Sequence, residues 1–373
     1  MLQRRAFLQA AGATFATALG RPAFSAAELF RYGGSPQQLA TPIAYFDRLI
    51  TPTPVFFVRS HFGAPSYDRS RTVTVHGMAK KKVELSVDDL RHLPEVTQTA
   101  ALQCAGNGRG LITPRVPGIQ WDHGGMGQAT WTGVRLKDVI ALAGAKSEAR
   151  HVWLKGADRP PKPTVPEYQR SIPIERALHP ETLIAYRMNG EPLSHAHGGP
   201  LRLIVPGWAG DHWVKWLTSV QLEAEEASGF YMQTAYKMPI KQAIPGTPVP
   251  PEGMRSVTTF PVKSVIGRPL DGAQIVAGPQ EVVGVALSGD AAIEFVEVST
   301  DNGATWHRAT LEGAGGIGVW QVFRYRFAQK QRGEATAIAR ARDKKGNMQP
   351  ENAIWNPSGY FWNAWHRVQW QVV

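Results

Sequence analysis

The sequence predicts an α+β protein in which a mixed strand-and-helix domain is followed by an immunoglobulin-like β-sandwich. The chain has 373 residues, 43% of them hydrophobic and 19% charged, which is enough for two domains with packed cores. Its 37 glycines and 28 prolines favour turns and short strands over long helices. Regularly spaced strands follow only after a proline-rich stretch. We therefore predict a mixed strand-and-helix domain at residues 28–238, a linker at 239–255 and the β-sandwich at 256–373.

The first domain mixes strand and helix patterns. Ser86 followed three residues later by Asp89 is typical of a capped helix start. Residues 134–143 form a short amphipathic pattern that ends at Gly144, which predicts a helix. Strands are predicted at 71–76, 151–154 and 201–205.

The second domain carries only strand patterns. Turn signals at 288–290 and 301–303 separate them, and this spacing is typical of an immunoglobulin-like sandwich. Proline cannot donate a ladder hydrogen bond, so the stretch with Pro239, Pro245 and Pro248 predicts an extended linker. Strands are predicted at 282–287, 293–299, 320–327 and 335–342.

The first 27 residues resemble an export signal. Arg4 and Arg5 precede Phe7-Leu8, a mild apolar run and a small-residue segment, an order typical of the twin-arginine type. This predicts a periplasmic protein, with an ordinary secretory signal or a helical N-terminus as the alternatives. No run of 18 apolar residues occurs, so we predict no membrane span.

The net charge of +11 does not by itself indicate a nucleic-acid partner. A nucleic-acid reader concentrates its cations on one arm or helix, whereas here only residues 80–82 and 344–345 cluster, both in turn-like contexts. We interpret them as solvated loops and predict no nucleic-acid binding.

Cys104 is the only cysteine. A single thiol excludes an intrachain disulfide framework, a four-cysteine zinc site, an iron–sulfur cluster held by this chain alone and a c-type haem. Cys104 lies in a glycine-rich segment beside Arg109, which could favour a thiolate. A buried structural thiol, the nucleophile of a cysteine hydrolase and a metal ligand remain three open readings.

Several basic residues are candidates for anion binding. Arg59 follows a strand-like apolar run and could grip an oxyanion through two hydrogen bonds, or form a surface ion pair. Arg202 and Lys215 lie near glycine-rich turns and could hold a phosphate, or be solvated. His195 and His197 have metal-like spacing, but no third ligand is evident nearby.

Seven short motifs occur along the chain in a fixed order. They are Phe57-Val58-Arg59-Ser60-His61, Cys104-Ala105-Gly106-Asn107, the segment 183–193, the segment 197–207, Val214-Lys215-Trp216-Leu217, Tyr236-Lys237 and Asn363-Ala364-Trp365-His366-Arg367-Val368. This ordered set resembles the sulfite oxidase family of molybdopterin enzymes over nearly the whole chain after residue 27. Among its members, the sequence looks most like the bacterial periplasmic sulfite dehydrogenases that contain no haem.

The resemblance implies a molybdenum–molybdopterin cofactor with Cys104 as the thiolate ligand of the metal. It implies that Arg59, Arg109 and Tyr236 surround the substrate oxyanion. The residues implied to bind the cofactor are Phe57, Val58, Arg59, Ser60, His61, Cys104, Asp158, His197, Arg202, Trp213, Val214 and Lys215.

The resemblance also implies an activity: oxidation of sulfite to sulfate, with electrons passed singly to a c-type cytochrome. It implies no haem in this chain, and a homodimer or a complex with a cytochrome subunit, built on a C-terminal dimerisation domain. Gly108 stands before Arg109 where animal and plant relatives carry consecutive arginines, so the pocket has one cation fewer. The alternatives are a sulfane-sulfur dehydrogenase subunit or a sulfoxide reductase on the same fold, and a non-catalytic secreted binding protein.

Overall fold

The structure is a computed structural model that describes residues 29–33 and 36–373. The predicted export signal, residues 1–27, lies outside the described residues. Within the described part, no helix has the length and apolar character needed to cross a membrane.

The first part of the chain contains short helices and many strands. Its strands are Phe30–Gly33 (β1), Gln38–Ala40 (β2), Val73–Gly77 (β3), Val83–Leu85 (β4), Glu95–Gln103 (β5), Met126–Arg135 (β6), His151–Gly156 (β7), Gln169–Pro173 (β8), Leu183–Met188 (β9), Glu191–Pro192 (β10), Arg202–Ile204 (β11), Leu217–Glu223 (β12), Lys237–Pro239 (β13) and Met254–Ser256 (β14). Its helices are Val87–Leu90 (α1), Leu136–Ala143 (α2), Ile174–Ala177 (α3) and Phe230–Gln233 (α4).

Two five-stranded sheets organise this part. One has the order β10-β9-β6-β5 with β11 also paired to β9, and the other has the order β4-β3-β12-β7-β8. β12 pairs with β3 in parallel and with β7 in antiparallel fashion. Apolar side chains of both sheets share one core with α2, including Val75, Trp131, Ile140, Leu154 and Ile184. The loops at the strand ends are therefore held on a rigid base.

Both helix predictions are confirmed, with one shifted start. The Ser86 Oγ accepts from the Asp89 N–H at 3.1 Å, and the Asp89 carboxylate accepts from the Ser86 N–H at 2.8 Å, which is a capping box. α2 ends at Gly144 as predicted, but it begins at Leu136 and not at 134. Residues 134 and 135 instead complete β6, where they pair with β9.

The second part of the chain is built from strands. They are Lys263–Arg268 (β15), Ala273–Ile275 (β16), Gly278–Leu287 (β17), Ile293–Ser299 (β18), His307–Arg308 (β19), Thr310–Glu312 (β20), Gln321–Gln329 (β21), Gly333–Asp343 (β22) and His366–Val372 (β23). They form two sheets, with the orders β15-β17-β21-β20 and β16-β23-β22-β18-β19, around a shared apolar core. The four strands predicted here are confirmed as β17, β18, β21 and β22. The immunoglobulin-like topology stays a prediction.

The proline-rich stretch differs from the extended linker that its composition predicts. β13 and β14 pair in antiparallel fashion at its two ends, and the Ile240 N–H donates to the Gly253 carbonyl at 2.9 Å. Prolines prevent pairing within the stretch but not at its ends. The segment therefore folds back on itself.

A second apolar cluster joins the two parts of the chain. It contains Phe46 and Met126 from the first part and Phe260, Val283 and Trp320 from the second. Tyr236 and Phe361 belong to the same cluster. This contact brings a loop of the second part against the strand ends of the first, which is where the candidate site lies.

Candidate active site

A cavity with a volume of about 720 Å³, its open mouth included, lies at the strand ends of the first part. Of the fourteen residues predicted for the site, thirteen line it. They are Phe57, Val58, Arg59, Ser60, His61, Cys104, Asp158, His197, Arg202, Trp213, Val214, Lys215 and Tyr236. Arg109, the fourteenth, lines an adjoining cavity together with Arg59, His61, Cys104 and Tyr236.

Cys104 stands directly after β5 in a tightly held turn. Its N–H donates to the Gly125 carbonyl at 2.9 Å, and its carbonyl accepts from the Asn107 N–H at 2.9 Å. The Asn107 side chain in turn accepts from the Gly125 N–H at 2.9 Å. A Cβ at position 106 would lie 2.6 Å from the Arg109 guanidinium, so any larger residue there would displace that side chain. The turn fixes the thiol, which is partly exposed, on the wall that both cavities share.

His61 and Tyr236 form a buried polar pair in the cavity. The Tyr236 hydroxyl and His61 Nε2 lie 2.8 Å apart, within hydrogen-bond distance. Burial lowers the pKa of His61 well below its ordinary value, and the charge of Arg59 lowers it further. Burial raises the pKa of Tyr236 well above its ordinary value. Both side chains are therefore neutral at pH 7, and either can exchange a hydrogen bond with a bound anion.

Two cations, the buried Arg202 and the half-buried Lys215, hold the inner wall of the cavity. Lys215 Nζ donates to Ser60 Oγ at 2.7 Å and to the Ala196 carbonyl at 2.9 Å. Arg202 donates to the His197 carbonyl at 2.8 Å. Burial lowers the pKa of Arg202 to about 9 and that of Lys215 well below its ordinary value. These shifts report the cost of keeping positive charge out of water.

The cations of the cavity have no carboxylate partner within ion-pair distance among the described residues. This holds for Arg59, Arg109, Arg202 and Lys215, and the Nε of Arg202 is buried without any hydrogen-bond partner. Arg109 and Arg202 are buried, and Arg59 and Lys215 are half-buried. Unpaired charge that is shielded from water is costly, so a bound anion would stabilise this arrangement. The residues present therefore fit a cofactor that carries a phosphate, beside a thiol suited to a soft metal.

Asp158 is the acidic residue nearest these cations along the loop after β7. Burial raises its pKa, while the charge of Lys215 lowers it. A Cβ at position 156 would lie 2.4 Å from the Lys215 carbonyl and 2.7 Å from Asp158 Oδ1, so glycine is required where the two loops meet. The close approach packs the loop that carries Asp158 against the backbone of Lys215, and both residues line the cavity.

Arg109 is fixed by backbone carbonyls and not by an acid. Its Nε donates to the Ser358 carbonyl at 2.9 Å, and its Nη1 donates to the Ile119 carbonyl at 3.1 Å. Its guanidinium also lies 5.2 Å from the centre of the Tyr360 ring. Ser358 and Tyr360 belong to the second part of the chain, so both parts build the substrate side of the site.

Four residues with polar side chains line the site but were not predicted from the sequence. Tyr168 and Asp211 line the main cavity, and Ser358 and Tyr360 line the adjoining one. Burial raises the pKa of Asp211 to about 7, and the charge of Arg170 beside it acts in the opposite direction. None lies in a glycine-rich or basic motif, and only the folded chain brings them to Cys104.

The zinc reading of His195 and His197 finds no support in this geometry. No group of three or more histidine, cysteine, aspartate or glutamate side chains is placed to hold a metal within the described part of the chain. His197 instead lies beside Ser194, whose Oγ is 2.8 Å from its Nδ1. The His195–His197 pair therefore has no further protein ligand with which to form a zinc site.

Comparisons with known proteins agree with one another. Residues 61–231 match the oxidoreductase molybdopterin binding domain, and residues 254–373 match the Mo-co oxidoreductase dimerisation domain. The chain is 36% identical to the sulfite oxidase of Arabidopsis thaliana over 352 residues, which is 87% of this chain and 89% of that protein. The chain belongs to the sulfite oxidase family.

Two further relatives show how far the similarity extends. The mitochondrial sulfite oxidase of Mus musculus is 39% identical over 343 residues, and the match spans 87% of this chain but only 62% of the mouse protein. The sulfane dehydrogenase SoxCD from Paracoccus pantotrophus superposes with a TM-score of 0.79 at 27% identity, covering 96% of this chain and 92% of that one.

Membership of the sulfite oxidase family confirms the cofactor prediction. The cofactor is a molybdenum–molybdopterin, and the mixed fold followed by a dimerisation domain is the family's. The unpaired cations and the fixed thiol fit this group. The role of each individual residue stays a prediction.

Proposed function

We propose that this protein is a molybdenum-dependent sulfite dehydrogenase that oxidises sulfite to sulfate and passes electrons singly to a c-type cytochrome. One observation carries the proposal: a thiol, unpaired cations and a neutral tyrosine face the same space. Cys104, Arg59, Arg109 and Tyr236 all line the cavity beside the turn after β5. This set suits a small, doubly charged sulfur oxyanion next to a metal.

Each side chain has a distinct task. The Cys104 sulfur is the soft protein ligand that molybdenum favours. The metal centre supplies the oxygen-atom and two-electron chemistry when it is bound. Arg59 and Arg109 bind the oxygens of the anion through charge-assisted hydrogen bonds, each worth roughly 1.5–3 kcal/mol.

The reaction balance sets the number of electrons that the proposed acceptor must take. Sulfite and water give sulfate, two protons and two electrons. A c-type cytochrome accepts one electron at a time, so two cytochrome molecules are reduced for each sulfite. A binding protein without catalysis would need neither a fixed thiol nor a metal.

The decisive assay uses purified protein whose molybdenum content has been measured. We expect sulfite to reduce cytochrome c, or ferricyanide as a substitute, at two equivalents per sulfite consumed. No reduction by a molybdenum-loaded sample would refute the proposed activity. No molybdenum in protein produced by its own host would favour the non-catalytic binding protein.

A sulfane dehydrogenase is the second candidate, because the SoxCD structure covers almost the whole chain. Arg59 and Tyr236 together favour sulfite over the sulfoxide substrates of reductases on the same fold. A panel of sulfite, a protein-bound sulfane sulfur and a sulfoxide separates the three. The largest kcat/KM among them identifies the substrate, and we expect it for sulfite.

Location and assembly are part of the same proposal. The twin-arginine pattern at Arg4-Arg5 supports export of the folded protein to the periplasm. The match of residues 254–373 to a dimerisation domain supports a homodimer, with a cytochrome-subunit complex as the alternative. Cell fractionation and the mass of the purified complex in solution test both.

Tyr236→Phe tests the hydrogen bond to the substrate. The change removes the hydroxyl that lies 2.8 Å from His61 Nε2 and keeps the ring. We expect kcat/KM for sulfite to fall about 10-fold or more, the value of one hydrogen bond to a charged group. Tyr325→Phe, in β21 of the second part, is the control and should leave both constants unchanged. Equal constants for Tyr236→Phe and the wild type would remove Tyr236 from the site.

A further inference from the structure

A buried ion pair joins the wall of the cavity, where Asp211 lies, to Arg170 behind it. Arg170 of β8 and Asp211 of the turn before Trp213 approach to 2.7 Å between Nη2 and Oδ2, and both side chains are 1% exposed. His212 Nδ1 lies 3.2 Å from the same carboxylate oxygen. A buried ion pair is weak evidence for stability, because hydrophobic residues often replace one without loss. Stability therefore does not account for the Arg170–Asp211 pair, and its contacts with residues of the site need to be considered.

The first contact of the pair is with Tyr236. The Arg170 guanidinium lies 5.1 Å from the centre of the Tyr236 ring, within the range of a cation–π interaction. Arg170 Nη1 also donates to the Tyr231 carbonyl, and its Nη2 is 2.9 Å from His212 Nε2. The guanidinium is thereby fixed against the ring that presents the substrate-facing hydroxyl.

The second contact runs through Asp211. Its backbone carbonyl accepts from the Tyr168 hydroxyl at 2.6 Å. The Tyr168 ring stacks on His61 with 4.4 Å between ring centres. His61 Nε2 is in turn 2.8 Å from the Tyr236 hydroxyl. The pair therefore supports both members of the His61–Tyr236 hydrogen bond from behind.

Tyr236 needs such support because its backbone is strained. Its φ of 55° lies in the left-handed region, which is unfavourable for a bulky residue. Strain of this kind persists only where the surroundings determine the conformation. The Tyr236 carbonyl accepts from the Val257 N–H at 2.8 Å, and its ring stacks on Tyr360 at 5.6 Å. Arg170 adds a further contact to the same ring.

We propose that the Arg170–Asp211 pair is a positioning element that holds the Tyr236 hydroxyl in place for the substrate anion. Arg170 fixes the ring, and Asp211 keeps the guanidinium in place while its own backbone holds Tyr168 behind His61. The inference rests on the proposed sulfite oxidation, and it assigns the pair no contact with substrate or cofactor.

The test combines three substitutions. Arg170→Met and Asp211→Asn together remove both charges and leave no unpaired ion, and the pair of changes is made in the wild type and in Tyr236→Phe. In the wild-type background we expect kcat/KM for sulfite to fall about as much as in Tyr236→Phe, about 10-fold or more, because a misplaced hydroxyl is lost to the substrate as a removed one is. We expect molybdenum content to stay at the wild-type level and sulfate affinity, measured by calorimetry, to fall.

The decisive readout is non-additivity. Once Tyr236 is phenylalanine, the hydroxyl to be positioned is gone, so removing the ion pair should cost less than about 2-fold more. Losses that multiply in the combined variant would overturn the proposal, as would wild-type kcat, KM and sulfate affinity in the charge-free variant. If the charge-free variant does not fold, Arg170→Lys keeps the charge but loses the planar guanidinium, and the same non-additivity is expected.

A matched control breaks another ion pair. Glu297→Gln removes the partner of Arg340, 2.9 Å away in the second part of the chain, and should leave kcat and KM unchanged.

The proposed function and the positioning role of the ion pair are refuted by different results. No sulfite turnover by the wild type would refute the function, whereas the positioning role is judged by ratios of variant to wild type and by sulfate affinity.

Discussion

Cys104→Ser is expected to abolish sulfite oxidation. The substitution replaces a soft sulfur ligand by a hard hydroxyl oxygen at the wall shared by both cavities. No second thiol can compensate, because Cys104 is the only cysteine in the chain. The turn around it is held by backbone hydrogen bonds and by Asn107, which the substitution leaves intact. Loss of activity should therefore come without loss of the fold.

The measurement pairs sulfite-dependent reduction of cytochrome c with elemental analysis. We expect no turnover above background, while thermal unfolding occurs at the wild-type temperature. Because Arg202 and Lys215 remain to bind an anionic cofactor, the molybdenum content separates a lost cofactor from an inactive one. Cys104→Ala should behave in the same way. Turnover at the wild-type rate in either variant would disprove the ligand role of Cys104.

Local sequence patterns predicted much of the strand and helix content. Hydrophobic alternation identified β17, β18, β21 and β22, and Ser86 with Asp89 identified the start of α1. These signals are local, because side-chain period and capping depend on residues a few positions apart. The start of α2 was missed for a non-local reason. Its first predicted residues pair with β9, almost fifty residues further along the chain.

The residues of the candidate site likewise fall into two groups, those that local motifs predicted and those that only long-range packing brings together. The ordered motifs placed Cys104, Arg59 and Lys215 in one site, and the structure brings them to one cavity. Asp211 and Tyr360 carried no such motif. Tyr360 reaches the site only because the second part packs on Met126 and neighbouring apolar residues. Long-range packing of this kind has no local signature in a single sequence.

The buried Arg170–Asp211 pair could not be predicted for the same reason, because it too depends on contacts between distant parts of the chain. Arg170 and Asp211 are 41 positions apart, and each alone looks like an ordinary surface charge in the sequence. Only the pairing of β8 with β7 and the turn before Trp213 make them neighbours. Charged residues are rarely buried unless they are paired. A charged residue in a predicted strand therefore does not indicate burial until its partner is known, and the sequence alone does not identify that partner.

Arg59→Gln is expected to cause the second-largest loss, by weakening recognition of the anion. Arg59 has no carboxylate partner, and its Nη1 donates to the Ser60 carbonyl beside it. Its charge is therefore available to a bound oxyanion. Loss of one charge-assisted hydrogen bond, roughly 1.5–3 kcal/mol, corresponds to a fall in kcat/KM of about 10- to 150-fold. We expect most of it in KM. Arg59→Lys should fall in between, because it keeps the charge but loses the planar fork.

The pH profile gives an independent readout of the same charge. The positive charge of Arg59 lowers the pKa of His61, although burial is the larger cause. Removing that charge raises the pKa of His61, so its protonated form persists to higher pH. The acidic limb of the kcat/KM profile should therefore move to higher pH in Arg59→Gln and stay in place in Arg59→Lys. Titration of sulfite itself is common to all variants and cancels in the comparison.

Arg326→Gln removes a surface cation that is 86% exposed and is the control for net charge. A profile for Arg59→Gln parallel to that of the wild type would contradict the coupling of Arg59 to His61, and an unchanged KM would contradict its contact with the anion.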